Sequence, residues 1–232
     1  MIYLKGYKIK MKVLLRLIFF LLLALAIPAT ASEKIGAKEA ENWAEHKGNQ
    51  ILQILADTNL ERKYKALDDI FYKDIDLDHA AKFAVGKYWR KMTPEQQKQY
   101  IPLFKQYINS LYKGYPLDFG EGEISFSVAK VLPTKSGVDV LCVIKLKALQ
   151  QAAGQEQKGF NVLFALVKNN GQLQVRDLKI GESSLLLAFR DRFYKMIYND
   201  NDEEIDWFLE DLQTITRDNE EKNQQNLDYG SF

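Results

Sequence analysis

The apolar positions of this chain change their spacing twice. From residue 36 to about 115 they recur every three or four residues, from 124 to 180 they alternate, and from 183 the helical interval returns. Trp43, Ile51, Ile54 and Leu55 give a helix over 36–58 one apolar side. Leu60, Tyr64, Leu67, Ile70 and Phe71 do the same for 59–73. Leu77, Ala80, Ala81, Ala84 and Tyr88 share a face over 76–91, and the three alanines allow another element to pack closely. Thr93-Pro94-Glu95-Gln96 predicts a sharp helix start: Thr93 can cap, proline suits the first helical position, and Gln96 can close a capping box. The stripe Tyr100, Leu103, Phe104, Tyr107, Leu111 and Tyr115 carries that helix to about 115. Pro102 lacks a backbone donor and is expected to kink or loosen it.

Four alternating runs follow. Ile124, Phe126 and Val128 begin the first; Val138, Val140, Cys142, Ile144 and Leu146 form the second; Phe160, Val162, Phe164 and Leu166 form the third. Asn169-Asn170-Gly171 marks a tight hairpin into the fourth. There the alternation of Leu173 and Val175 slips by one position before Leu178 and Ile180, which predicts a β-bulge near Arg176-Asp177. The stretch 149–158, rich in Gln, Ala and Gly, reads as a mobile loop. Helices are expected again from Ser183 or Ser184 to about Tyr198 and over 203–216, with a frayed polar tail at 218–232. The fold class is therefore α+β: a four-stranded antiparallel meander covered by N-terminal and C-terminal helices, in one domain spanning 32–217.

The first 31 residues stand apart. Lys5, Lys8, Lys10, Lys12 and Arg16 precede an apolar run from Leu17 to Ile27, and Pro28-Ala29-Thr30-Ala31 ends in an A-x-A pattern. That order predicts a signal peptide cleaved after about Ala31, with translation starting at Met1 or Met11 and the rest of the chain exported. Without those five basic residues, 27 Lys and Arg stand against 31 Asp and Glu, a net charge of −4. Nucleic-acid binders usually carry a basic excess instead, so none is expected here. Cys142 is the single cysteine, so no internal disulfide can form, and its place in an apolar strand marks it as a core residue.

Chemistry-bearing motifs are scarce. His46 and His79 lie on different helices without a ligand partner one turn away, and no nucleophile-elbow, zinc-protease, dinucleotide or P-loop pattern occurs. Neither a metal nor a cofactor is expected. The acids from Asp200 to Asp211 read as a solvated helix face. What stands out is apolar supply. Leu141, Val143, Leu163, Ala165 and Val167 make much of both strand faces apolar. Either the helices close on the sheet as an ordinary core, or they stand off it and leave an apolar cavity.

The string Val85-Gly86-Lys87-Tyr88-Trp89-Arg90-Lys91-Met92-Thr93-Pro94-Glu95-Gln96, followed by Phe104, Tyr107 and Tyr112, resembles the MlaC family. These are periplasmic phospholipid carriers of Gram-negative bacteria, also known as toluene-tolerance auxiliary proteins. Val175, Asp177, Ser184-Leu185, Phe189-Arg190 and Phe193 agree, as does the 205–212 helix; Gly181-Glu182-Ser183 departs from the family pattern. The resemblance implies a carrier and not an enzyme. It implies shuttling of phospholipid between an outer-membrane lipoprotein complex and an inner-membrane ABC-transporter complex, in maintenance of outer-membrane lipid asymmetry. A monomer with no membrane span and no cofactor is expected. Alternatives are a carrier of another apolar lipid, such as a hopanoid, and an exported hydrolase without a recognisable motif. On the carrier reading the candidate wall residues are Val85, Gly86, Trp89, Phe104, Tyr107, Ile108, Leu111, Val128, Val140, Cys142, Ile144, Phe164 and Leu166, with Arg90 as a candidate for docking partner complexes.

Overall fold

Among the described residues, four of the six α-helices begin on a side chain that caps them. The computed structural model describes residues 34–113, 119–120, 122–147 and 159–229; the expected signal segment, the 149–158 loop and the last three residues lie outside them. Helix α1 spans Ala37–Leu55, α2 Leu60–Asp74, α3 Leu77–Val85, α4 Pro94–Lys113, α5 Leu185–Lys195 and α6 Ile205–Tyr229. Asn59 Oδ1 accepts from the Arg62 N–H (2.8 Å) and Asp76 Oδ1 from the His79 N–H (3.3 Å), starting α2 and α3. The capping box expected at Thr93 forms: the Gln96 N–H donates to Thr93 Oγ1 (3.2 Å) and the Thr93 N–H to Gln96 Oε1 (2.9 Å). Ser184 caps α5 by accepting from the Leu187 N–H at 3.1 Å.

Strands β1 (Ile124–Pro133), β2 (Val138–Leu146), β3 (Phe160–Asn169), β4 (Gln172–Ile180) and β5 (Ser183–Ser184) form one antiparallel meander in sequence order. The sheet has five strands where four were expected, because two residues before α5 add a short edge strand. Asn170 and Gly171 both take positive φ, as the two-residue hairpin turn requires. The bulge expected near Arg176 is present: Ala165 pairs with Asp177 and Leu166 with Val175, leaving Arg176 as the extra residue.

Three further differences have local causes. The third expected helix ends at Val85, because Gly86 turns with φ +49° and a 3₁₀ turn, Gly86–Arg90, follows. The fourth runs unbroken through Pro102. The last helix does not stop at 216 but continues to Tyr229 in place of the expected frayed tail. The extra turns rest on α4: Asn219 Nδ2 donates to Ser110 Oγ (3.1 Å) and Asn223 Nδ2 to the Ser110 carbonyl (2.8 Å). A polar stretch without apolar period is thus held as helix by hydrogen bonds to a neighbouring helix.

Two cores result. The larger lies among α3, α4, α5 and α6, where Tyr100, Phe104, Tyr107, Phe193 and Phe208 stack edge to face or tilted with ring centroids 5.5–6.4 Å apart. Each such buried ring contributes about 1.5–3 kcal/mol. The smaller lies between α1 and the sheet, where Ala40 and Ala44 pack onto Val138, Val140, Cys142 and Leu166.

Candidate functional site

The small residues of α1 decide where helix and sheet meet. Ala40, Ala44 and Gly48 are buried at four-residue spacing, and they let the N-terminal half of α1 lie directly on the sheet. A Cβ on Gly48 would sit 2.3 Å from the ring of Phe126, so glycine is required for that approach. Beyond Gly48 the same side of the helix carries Ile51, Leu52 and Leu55. Between these side chains and Ile124, Phe126, Ile144 and Phe164 lies a cavity of about 360 Å³, partly open to solvent. Its remaining walls come from Ile70 and Phe71 of α2, Leu77 and Ala80 of α3, Phe104 and Ile108 of α4, and Leu185, Leu186 and Phe189 of α5. The size falls in the range of about 300–1,000 Å³ usual for small-molecule sites.

Among the described residues only four charged side chains line it: Lys47, Asp74, Arg176 and Asp177. Lys47 Nζ lies 2.5 Å from Asp74 Oδ2, with the two side chains 17% and 8% exposed. Arg176, the residue extruded by the bulge, donates through Nη2 to Asp76 Oδ2 at 2.9 Å, and Asn169 Nδ2 donates to the same oxygen at 3.0 Å. Burial would raise the Asp76 carboxyl, but the Arg176 guanidinium and the Asn169 amide outweigh it and hold that carboxyl below its ordinary value. Asp177 accepts from the Ser184 hydroxyl (2.7 Å) and the Leu186 N–H (3.2 Å), which ties the bulged strand to the start of α5. All four are thus held by partners, and the open wall is hydrocarbon. Among the described residues no group of three or more His, Cys, Asp or Glu side chains is placed to hold a metal ion.

Of the thirteen wall residues expected from sequence, Phe104, Ile108, Ile144 and Phe164 line this cavity. The other nine stand elsewhere. Val85 and Tyr107 are buried in the larger core, and Trp89 and Leu111 pack on its edge. Val140, Cys142 and Leu166 are buried beneath the first half of α1, with Val128 packed against them. Burial pushes the Cys142 thiol up to about 12. Gly86 does permit a close approach, but by the Tyr194 hydroxyl, which would lie 2.3 Å from a Cβ there and which accepts from the Lys87 N–H at 3.1 Å. Arg90 is exposed on the 3₁₀ turn, away from the cavity.

The expectation placed the wall on α4 and the strands and omitted α1. Ile51 and Leu55 were visible as the apolar side of the first helix, and Ile70 and Phe71 as that of the second. The spacing gave no sign that these faces line a gap instead of a packed interface. Gly48, an interior helix glycine, was the available signal for close contact with another element.

The MlaC family model, described as MlaC protein, matches residues 45–214, well over half of the chain. No curated protein matches it. Among solved structures, the phospholipid-binding protein from Ralstonia solanacearum in complex with a phospholipid aligns with a TM-score of 0.62 at 16% identity, covering 78% of this chain and 98% of that one. At that identity the likeness speaks for the fold. With the family match running from within α1 to within α6 and taking in the whole described sheet, the chain belongs to the MlaC family.

Proposed function

We propose that this protein is a periplasmic phospholipid carrier that holds acyl chains between α1 and the exposed half of the sheet. The observation that carries the reading is the apolar, partly open cavity in a chain of the MlaC family. Its structural neighbour from Ralstonia solanacearum is a phospholipid-binding protein solved with a phospholipid, which agrees. No helix among the described residues is long and apolar enough to cross a membrane.

The physics of the task explains why a carrier needs an apolar cavity. Exposing two acyl chains of roughly 15 methylenes each to water costs on the order of 24 kcal/mol at about 0.8 kcal/mol per CH₂. A carrier must therefore enclose most of the hydrocarbon, while the head group can stay wet at the open rim. Transfer between a bilayer and an apolar cavity is nearly neutral, so direction comes from partner complexes. These are an outer-membrane lipoprotein complex on one side and an inner-membrane ABC transporter on the other, with exposed Arg90 as a docking residue.

Extraction of the purified chain followed by mass spectrometry is the test. A diacyl phospholipid in about one copy per chain is expected; protein free of lipid after mild purification would sink the reading, and a sterol-like lipid would redirect it. Ile144→Asp places a charge on the cavity wall and should abolish lipid retention with an unchanged circular dichroism spectrum.

A further inference from the structure

The cavity ends on charge. Lys168, near the far end of β3, pairs with Glu39 at 3.2 Å and fixes the first turn of α1 beside the β3–β4 hairpin. Sixteen residues later, about 24 Å along the helix axis, Leu55 lines the cavity together with Ile124, at the other end of the sheet. The helix therefore runs from a closed end to an open one. Lys47 stands at the change-over. On its closed side Ala40 and Ala44 pack with Val140 and Cys142, and the cavity ends one turn back, against Trp43 and Ala44; on its open side come Ile51, Leu52 and Leu55.

Its partner is anchored to the sheet. Asp74 is the last residue of α2, Ile75 bridges Val175 of β4, and the Asp76 N–H donates to the Val175 carbonyl at 2.9 Å. Asp74 Oδ2 is buried and has no conventional hydrogen bond among the described residues; the Lys47 ammonium faces it at 2.5 Å. Lys47 Nζ also donates to Gln50 Oε1 at 3.3 Å, which steadies it on α1.

We infer that the Lys47–Asp74 ion pair is the floor of the acyl-chain volume and sets the longest chain the cavity accepts. The inference rests on the phospholipid reading above. A chain end pressed against the pair would strip the remaining water from two side chains that are 17% and 8% exposed, and hydrocarbon cannot replace that solvation. One turn behind the pair, from Ala44 to Ala40, the α1–sheet interface is packed, so the chain has nowhere further to go. A chain too long for the floor must leave its excess methylenes exposed at the rim. Each exposed methylene weakens retention about fourfold.

The experiment offers the protein, stripped of lipid, to vesicles holding equal amounts of saturated phosphatidylglycerols of graded chain length, and quantifies bound species by mass spectrometry. Wild-type protein is expected to show a cutoff, with binding falling about fourfold per methylene beyond it. Lys47→Met with Asp74→Leu replaces the pair by hydrocarbon of similar volume, a kind of exchange that folded proteins often tolerate. It should move the cutoff to longer chains. Asp74→Glu keeps both charges, pushes the carboxylate one methylene further into the cavity, and should move the cutoff to shorter chains. It supplies the test should the double variant fail to fold by circular dichroism. Binding of all lengths alike, or a cutoff that moves in neither variant, overturns the floor and leaves the phospholipid reading standing. Absence of any bound lipid in the wild type removes the phospholipid reading itself.

Discussion

One apolar sheet face serves two purposes in this molecule. Toward the β3–β4 hairpin, Val138, Val140, Cys142 and Leu166 are buried under Ala40 and Ala44 of α1. Toward the other end, Phe160 and Ile180 on the same face are 46% and 57% exposed, and Ile144 lines the cavity. The residue types hardly differ between the halves. The helix above them does: alanine and glycine allow contact, isoleucine and leucine hold the surfaces apart. A closed core and a binding cavity are thus adjacent stretches of one interface, separated by the size of the side chains on one helix.

The largest effect should come from breaking the boundary between the halves. Lys47→Met alone leaves the Asp74 carboxylate buried without its cation and should cost about 3–5 kcal/mol in urea unfolding, with Asp74→Leu restoring most of the loss. Next is the closed half, where Leu166→Ala, at a position 1% exposed, should cost about 2–5 kcal/mol while lipid retained per folded molecule stays unchanged. The opposite outcome, lost lipid with unchanged stability, would place Leu166 in the cavity.

A smaller effect concerns the ion pair that holds the bulged strand. The Asp76 carboxyl titrates below its ordinary value of about 3.9 in the folded protein, so its stabilising contribution is complete above that pH and is lost as pH falls through the lower folded value. Asp76→Asn should therefore flatten the acid limb of a plot of urea midpoint against pH; an unchanged limb would show that Arg176 contributes little there. Smallest in stability is the open half. Phe160→Ser or Ile180→Ser should alter unfolding by no more than about 0.5 kcal/mol, yet measurably slow lipid exchange with vesicles. Cys142 sharpens the contrast without mutation. With its thiol pushed up to about 12, it should resist alkylation at neutral pH until denaturant opens the closed half.

Much of the fold is legible along the chain. Local chemistry sufficed for the cap at Thr93, the Asn170-Gly171 turn and the bulge at Arg176, because each depends on residues within a few positions of one another. The length of α6 was not legible, since Asn219 and Asn223 owe their helical state to Ser110 on another element. The same limit applies to the site. Phe104 and Tyr107 share one stripe of α4 and are equally apolar in pattern, but Phe104 touches the cavity while Tyr107 is buried among α5 and α6.

Period and composition by themselves determined the element order, the antiparallel meander and the large supply of hydrocarbon, and the string from Val85 to Gln96 pointed to the family. Tertiary structure alone decided which of that hydrocarbon closes into a core and which stays open as a cavity wall. The reason is that hydrophobic burial is non-directional: a sequence fixes how much apolar surface each face carries. Whether two faces touch depends on the side chains of the opposing helix, here Ala40, Ala44 and Gly48 against Ile51, Leu52 and Leu55.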